Sequence, residues 1–529
     1  MKTNLFFSGC VFLCFVVQIF AQGPYPDFPP ANVTAEQDRD QMLWQLGLSF
    51  PPLPDKATHY RELILPKLIF WGSDVSFKPK DESNPEGIWT WATGTSSTST
   101  NNFCNVVTVA RSEDGLWNNY IQSWEPGGEY FTGSQFYQPL ALHDLNGITA
   151  ENWYIRRKQI YEEVKKIWGT VPSAANNLKI TWNVGDVAID TAHNNIPYKQ
   201  YTITGIIDTS LYPNVRDIPK LVGILRIPAH SKGKVPIIIT FAWNFGAQHP
   251  ASIEEDVWNN FSPLGIGTLA FDYAQLQPDN GKYLTSYLIG LVNCGNWRKP
   301  TDWGTLVAWS WGVSRFIDYF ESDANNDVDP TKIGLTGHSR LGKATLVTMA
   351  YESRISISFP SSSGSLGVVQ SRRHWGQDLS NSLWAQEYHW MAGNFMSYMG
   401  VDSSSVDEYM PRKVLRMPVD GESLLALCAP RPIFIGSGDF VGDSWVDPYG
   451  QYLSCVAASP VYELLGKKGI VMNDSMLWND QKISMPITDK AYLDGDIGYR
   501  RHKGGHIASP NYPAFAAFVG KYRHNPKEY

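Results

Sequence analysis

The residues with most chemical content lie in Lys332–Leu346, KIGLTGHSRLGKATL. An apolar β-run enters Gly337, Ser339 follows two residues later, and a helical pattern leaves. Such a strand–turn–helix holds a serine hydroxyl clear of a sheet at a helix N-terminus, the setting of a nucleophile elbow. A serine there performs acyl chemistry when a histidine takes its proton and an acid orients the histidine. Arg340 follows directly, so its backbone N–H and its guanidinium can both face a developing oxyanion. Lys343 stands one helical turn on and is expected to overhang the same mouth. An esterase needs one oxyanion site, so the second cation points to a polar acyl group to be gripped, such as a sugar acid. Gly342 comes one residue later than in G-x-S-x-G. The segment also spells the G-x-x-x-x-G-K of a phosphate loop, but Ala344 stands where the Mg²⁺-binding Ser or Thr belongs.

In a hydrolase of this kind the acid and then the base follow the serine along the chain. His506, in Gly504-Gly505-His506, comes after the strand-like Gly498–Arg501 and before a helical pattern at Tyr512. A loop there, at the C-terminal edge of a sheet, suits a general base. His502 is its competitor and falls within or at the end of the strand. Three acids, Asp439, Asp443 and Asp447, share the loop SGDFVGDSWVDP after the β-run Pro432–Gly436. Position alone does not choose among them. Trp445 on that loop suits stacking against a sugar face, and a backbone N–H of Trp243–Gly246 could assist the oxyanion.

The elements that must position these residues read as α/β from about residue 151. Trp153–Trp168 has apolar residues at helical spacing, with Gly169 as its C-cap. Strand-like runs follow at Leu178–Ile189, Tyr198–Ile207 and Leu221–Ile227. Strictly apolar runs come next at Val235–Trp243, Ile266–Tyr273, Lys332–Thr336, Ile355–Phe359 and Pro432–Gly436, as in a parallel sheet buried on both faces. Helical patterns alternate with them at Thr305–Phe320, Leu341–Glu352, Tyr449–Leu465 and Tyr512–Tyr522. The order predicts a doubly wound, mostly parallel sheet flanked by helices. Residues 22–150 read as an irregular N-terminal extension with short strands and one helix around Ala35–Leu48, and 151–529 as the catalytic domain.

The chain has 529 residues, 43 % hydrophobic and 18 % charged, with 20 Trp and a net charge of −7. That aromatic content excludes a disordered chain. The absence of a basic run argues against a nucleic-acid partner. Residues 1–21 read as a cleaved signal peptide, with Lys2 before the apolar run Leu5–Phe20 and Ala21 ending it. No second apolar run reaches membrane length, so a secreted or periplasmic monomer is expected. Cys104, Cys294, Cys428 and Cys455 remain after cleavage. They are too sparse for a disulfide scaffold and allow one or two bridges or free thiols.

GHSRLGK, ALCAPRPIFIGSGDFVGDSWVDPYGQYLS and RRHKGGH together resemble the glucuronoyl esterases, carbohydrate esterase family 15. DWGTLVAWSWGVSRFIDYFES before the elbow and SGSLGVVQSRRHWGQ after it extend the likeness over roughly Trp153 to Tyr522. The resemblance implies a serine hydrolase of α/β-hydrolase fold, without metal or cofactor, cleaving esters between 4-O-methylglucuronic acid of xylan and lignin alcohols. It makes Ser339 the nucleophile, Arg340 the oxyanion residue and His506 the base, with Lys343 and Trp445 binding the uronic acid. Many members carry their acid as a Glu in an E-S-G segment shortly after the elbow. Here Ser362 stands in that place, so the resemblance moves the acid to Asp443 of D-x-W-x-D-P, with Asp439 behind it. Gln377 replaces the Glu of S-R-R-x-x-G-E and belongs to the sugar contacts. Competing readings are an acetyl or feruloyl esterase with the same triad, and a carbohydrate-binding homologue whose triad has lapsed.

Overall fold

A computed structural model describes residues 25–47, 75–78, 88–91, 141–190, 196–242, 252–323, 326–372, 387–398, 413–439, 443, 446–473, 476–478 and 483–523. The expected signal segment, Cys104, the 243–246 turn, Gln377 and Trp445 lie outside the described residues.

Ten strands form one sheet. In chain order they are β1 (Ile180–Val184), β2 (Ala188–Asp190), β3 (Tyr198–Ile207), β4 (Lys220–Pro228), β5 (Val235–Phe241), β6 (Gly267–Phe271), β7 (Val328–His338), β8 (Ile355–Ser361), β9 (Ile433–Gly438) and β10 (Ile497–His502). Their spatial order is β10-β9-β8-β7-β5-β6-β4-β3-β1, with β2 against β3. The strands β5 to β10 run parallel, and β1 to β4 add an antiparallel wing. The longer helices are α1 (Ala35–Gln45), α2 (Trp153–Trp168), α3 (Ser252–Phe261), α4 (Thr305–Ser322), α5 (Arg340–Tyr351), α6 (Gly421–Cys428), α7 (Pro448–Leu464) and α8 (Tyr512–Arg523).

The continuous apolar runs have the expected cause. Alternate residues of one strand face opposite layers. Ile237 and Ile239 of β5 join the core under α2, α4, α5, α6 and α7, while Ile238 joins Val257, Phe261, Phe515 and Phe518 of α3 and α8 on the other face. With both faces covered, few positions in the middle of these strands are left for water, and alternation disappears from the sequence.

Most strand and helix expectations hold to within a few residues. Leu178–Ile189 is two strands rather than one. Gly185 and Asp186 interrupt it, and the Gly185 N–H returns to the Thr202 carbonyl at 2.8 Å. The helix α6 was not expected, because its eight residues are buried on every side and show no polar face to mark a helical period. Cys294, Cys428 and Cys455 are free thiols. Among the described residues no helix is long and apolar enough to cross a membrane.

Candidate active site

The strand β7 ends at His338 and α5 begins at Arg340, leaving Ser339 alone in the turn with φ 59° and ψ −127°. A non-glycine residue at such angles stores about 1–3 kcal/mol and persists only where its surroundings determine it. Here the Ser339 N–H donates to the Ser361 carbonyl at 2.9 Å, and the Lys343 N–H donates to the Ser339 carbonyl at 3.1 Å. The two glycines of the motif are required by close approach. A Cβ on Gly337 would strike the Leu341 carbonyl and the Thr345 hydroxyl, and one on Gly342 would strike the Ser361 carbonyl. The late second glycine is therefore the point at which α5 presses on the end of β8.

Four neighbouring parallel strands deliver the polar cluster. Ser339 follows β7, Ser362 follows β8, Asp443 follows β9 and His506 follows β10. Asp443 Oδ1 lies 2.6 Å from His506 Nδ1. Its Oδ2 accepts from the Ser362 hydroxyl at 2.7 Å and from the Gly438 N–H at 2.8 Å. The Asp443 side chain is fully buried and that of His506 is 26 % exposed. A carboxylate on Nδ1 requires the proton there, which leaves Nε2 as the acceptor. The other two acids of the loop have different work. The Asp439 carbonyl accepts the Asp443 N–H at 2.8 Å, and Asp447 caps α7 by accepting the Gly450 N–H at 2.8 Å.

Two further histidines brace the His506 loop. His502 Nε2 donates to the Ile507 carbonyl at 2.9 Å while its Nδ1 accepts the Gly504 N–H at 2.8 Å. Those bonds fix a neutral ring, and burial pushes its pKa down. His502 therefore shapes the loop and does not present a free nitrogen to Ser339. His338 was not singled out from the sequence. Its Nε2 donates to the His506 carbonyl at 3.2 Å, its Nδ1 accepts the Ser361 hydroxyl at 3.1 Å, and the two rings lie 4.4 Å apart. Burial, followed by the neighbouring His506, lowers its pKa to about 3.

The two cations of the motif differ in exposure, although both lie over the Trp390 ring, Lys343 at 5.7 Å. The Arg340 guanidinium remains 37 % exposed, donates to Asp279 Oδ2 at 2.8 Å and lies over the Trp390 ring at 5.4 Å. Asp279 Oδ1 in turn accepts from His389 Nε2 at 2.8 Å and Trp390 Nε1 at 2.7 Å. Burial alone would raise the Asp279 carboxyl, but the hydrogen bond from His389 and the Arg340 charge hold it well below the usual range. Lys343 does not overhang the mouth as expected. It is 3 % exposed, and its ammonium reaches the carbonyls of Ser363 and, at 2.7 Å, Ser365. The reason is steric: α5 lies so close to β8 that this face of its first turn is interior. Burial brings the Lys343 pKa down to about 7, against the raising influence of Glu387. Glu387 also acts on Arg340, as a second carboxylate after Asp279.

A buried Asp–His pair beside a strained serine, with an arginine directly after it, is an arrangement for acyl transfer. The comparisons with known proteins agree. Residues 224–466 match the family described as glucuronyl esterase, fungi. A glucuronoyl esterase from Teredinibacter turnerae superposes with a TM-score of 0.64 at 28 % identity, over 93 % of this chain and all of that one. Family model, sequence relatives and solved structures together support a glucuronoyl esterase of carbohydrate esterase family 15. The family enzyme of Solibacter usitatus gives a TM-score of 0.57 at 27 % identity, covering 70 % of this chain and 93 % of its own. Among sequence relatives, a carbohydrate esterase of an unknown prokaryote is 26 % identical over 70 % of this chain and 84 % of that protein. A 4-O-methyl-glucuronoyl methylesterase of Podospora anserina is 27 % identical over 63 % of this chain and 61 % of its own length. Ser362, the residue that the resemblance sets in the place of the usual acid, has its hydroxyl bonded to Asp443, delivered by the next strand. A small polar residue beside a vacated acid position is the signal that could have marked it.

Proposed function

We propose that this chain hydrolyses esters of glucuronic acid, the 4-O-methyl-glucuronoyl group of xylan joined to a lignin alcohol. It acts as a monomer outside the cytoplasm after residues 1–21 are removed. Ser339 Oγ attacks the ester carbonyl and its proton passes to His506 Nε2. Asp443 holds the imidazole tautomer and stabilises the imidazolium. The oxyanion forms against Arg340, whose guanidinium is held in place by Asp279. The carbon–oxygen bond to the alcohol breaks, and the alcohol leaves with the proton from His506. Water, activated by the same nitrogen, then frees the uronic acid from Ser339. Trp445 and Gln377 grip the sugar, and Lys343 contributes from beneath by fixing the carbonyls of Ser363 and Ser365.

The observation that carries this reading is the 2.6 Å contact between His506 Nδ1 and the fully buried Asp443. The name of the Podospora relative supports the acyl group. The test compares an alkyl glucuronate with an aryl acetate on the purified chain, with Ser339→Ala as control. Preference for the glucuronate is expected, and Ser339→Ala should lower turnover on the order of 10⁴-fold or more. Clear preference for the acetate would assign another esterase. Failure of a serine-hydrolase probe to label the folded protein would assign a binding protein.

A further inference from the structure

We infer that α1, which lies outside the hydrolase sheet, is a positioning wall of the active site: through Asp38 and Tyr388 it sets the turn Tyr388–Trp390, and through that turn and Asp279 it sets the Arg340 guanidinium. The inference rests on Arg340 having the oxyanion role proposed above.

The helix α1 is poorly amphipathic by sequence, AEQDRDQMLWQ, yet Asp38 at its middle is 1 % exposed. A carboxylate taken out of water must be paired and hydrogen-bonded. Its partners come from the hydrolase domain. The Tyr388 hydroxyl donates to Asp38 Oδ2 at 2.7 Å, and Arg298 Nη2 lies 4.0 Å from the same oxygen. Arg298 is itself interior and donates to the Met391 carbonyl at 3.0 Å, while Gln45 of α1 donates to the Arg298 carbonyl at 2.8 Å. The Met42 thioether fills the space that a Cβ on Gly393 would need. The segment 388–393 is thus held on one side by α1.

On its other side the same turn holds the site. Tyr388 is followed at once by His389 and Trp390, both donating to Asp279 Oδ1, and Asp279 Oδ2 accepts Arg340. Consecutive residues of one 3₁₀ turn therefore face α1 and the oxyanion arginine. A single-turn element has no internal freedom to absorb a shift at Tyr388 without moving His389 and Trp390. An oxyanion donor acts through geometry, and a displacement of an ångström is enough to lower turnover.

The experiment is a double-mutant cycle on the full chain, assayed on any ester that it turns over. Tyr388→Phe removes the hydroxyl on Asp38 and keeps the ring. It is expected to lower kcat about tenfold with KM within twofold. In an Arg340→Ala background, Tyr388→Phe should change kcat by less than twofold, because the group it positions is gone. Asp38→Asn should follow the same pattern, and Tyr388→Phe decides if Asp38→Asn fails to fold. An equal fold-loss in both backgrounds, or no loss in folded Tyr388→Phe, would overturn the inference. If Arg340→Ala alone leaves kcat intact, the oxyanion assignment has failed rather than the link to α1.

Discussion

Ser362 offers the sharpest test of how the acid is held. Asp443 has no exposure, and its Oδ2 has two donors, the Ser362 hydroxyl at 2.7 Å and the Gly438 N–H at 2.8 Å. Ser362→Ala removes one of them in a site where water has little room to replace it. A hydrogen bond to a charged group contributes roughly 1.5–3 kcal/mol. The carboxylate is charged in both ground and transition states, so only the part that orients it toward the imidazolium appears in the rate. About 1.5–2 kcal/mol of that differential corresponds to a loss of roughly 10- to 30-fold in kcat. Asp443→Asn, which reverses the tautomer, should cost on the order of 10⁴-fold. Ser362 is 1 % exposed, so KM should remain within twofold. The assay is steady-state hydrolysis of an alkyl glucuronate, with urea unfolding to show that the variant is folded. An unchanged kcat in Ser362→Ala, or a loss as large as that of Asp443→Asn, would refute the reasoning.

Lys343→Met should lower the urea midpoint, since it strips the donor from two interior carbonyls, each worth roughly 1–3 kcal/mol when orphaned; an unchanged midpoint would place the ammonium elsewhere. The acid side of the stability profile should be steep. His338 has its pKa lowered to about 3 and His143 to about 4, each chiefly by burial, so below the unfolded value of 6.5 the unfolded chain binds protons that the native chain refuses. Stability therefore rises with pH between about 4 and 6.5 and is lost as pH falls, at about 1.4 kcal/mol per pH unit for each ring. Urea midpoints measured from pH 7 to 4 should fall less in His338→Asn than in the parent chain. Equal slopes would show that His338 takes a proton without leaving its place.

The sheet was legible because burial on both faces writes apolar runs such as Val235–Phe241 directly into the chain, and the elbow was legible because Gly337, Ser339 and Gly342 answer to local sterics. The acid was not legible from spacing. Asp439, Asp443 and Asp447 share one loop, and what separates them is which one meets His506 across the β9–β10 edge, a tertiary fact. The resemblance to the family supplied Asp443 where the residues alone left three. The burial of Lys343 was not legible either. A helical wheel puts it on the same side as Ser339, but the wheel does not contain β8, whose approach turns that side into interior. His338, Asp279 and Glu387 escape a sequence reading because their partners His506, Arg340 and Arg340 lie 168, 61 and 47 residues away, beyond any local pattern.

The serine at 362 need not be a loss of function, and the order of the strands explains why. The ends of β8 and β9 are adjacent, so a side chain from either can approach His506 on β10's loop. Here β9's own loop delivers the carboxylate, and a glutamate at 362 would set a second negative charge against it, raising the pKa of one of the two. A short hydroxyl is the residue that fits beside an acid already present, since it donates where a carboxyl group would compete. The backbone agrees, because Ser362 sits at φ 44° with its N–H on the Gly436 carbonyl, a strained turn that points the hydroxyl at Asp443. The strain and the hydrogen bond together indicate a site built around an aspartate on the neighbouring strand, and a chain with a lapsed triad would have no reason to keep both.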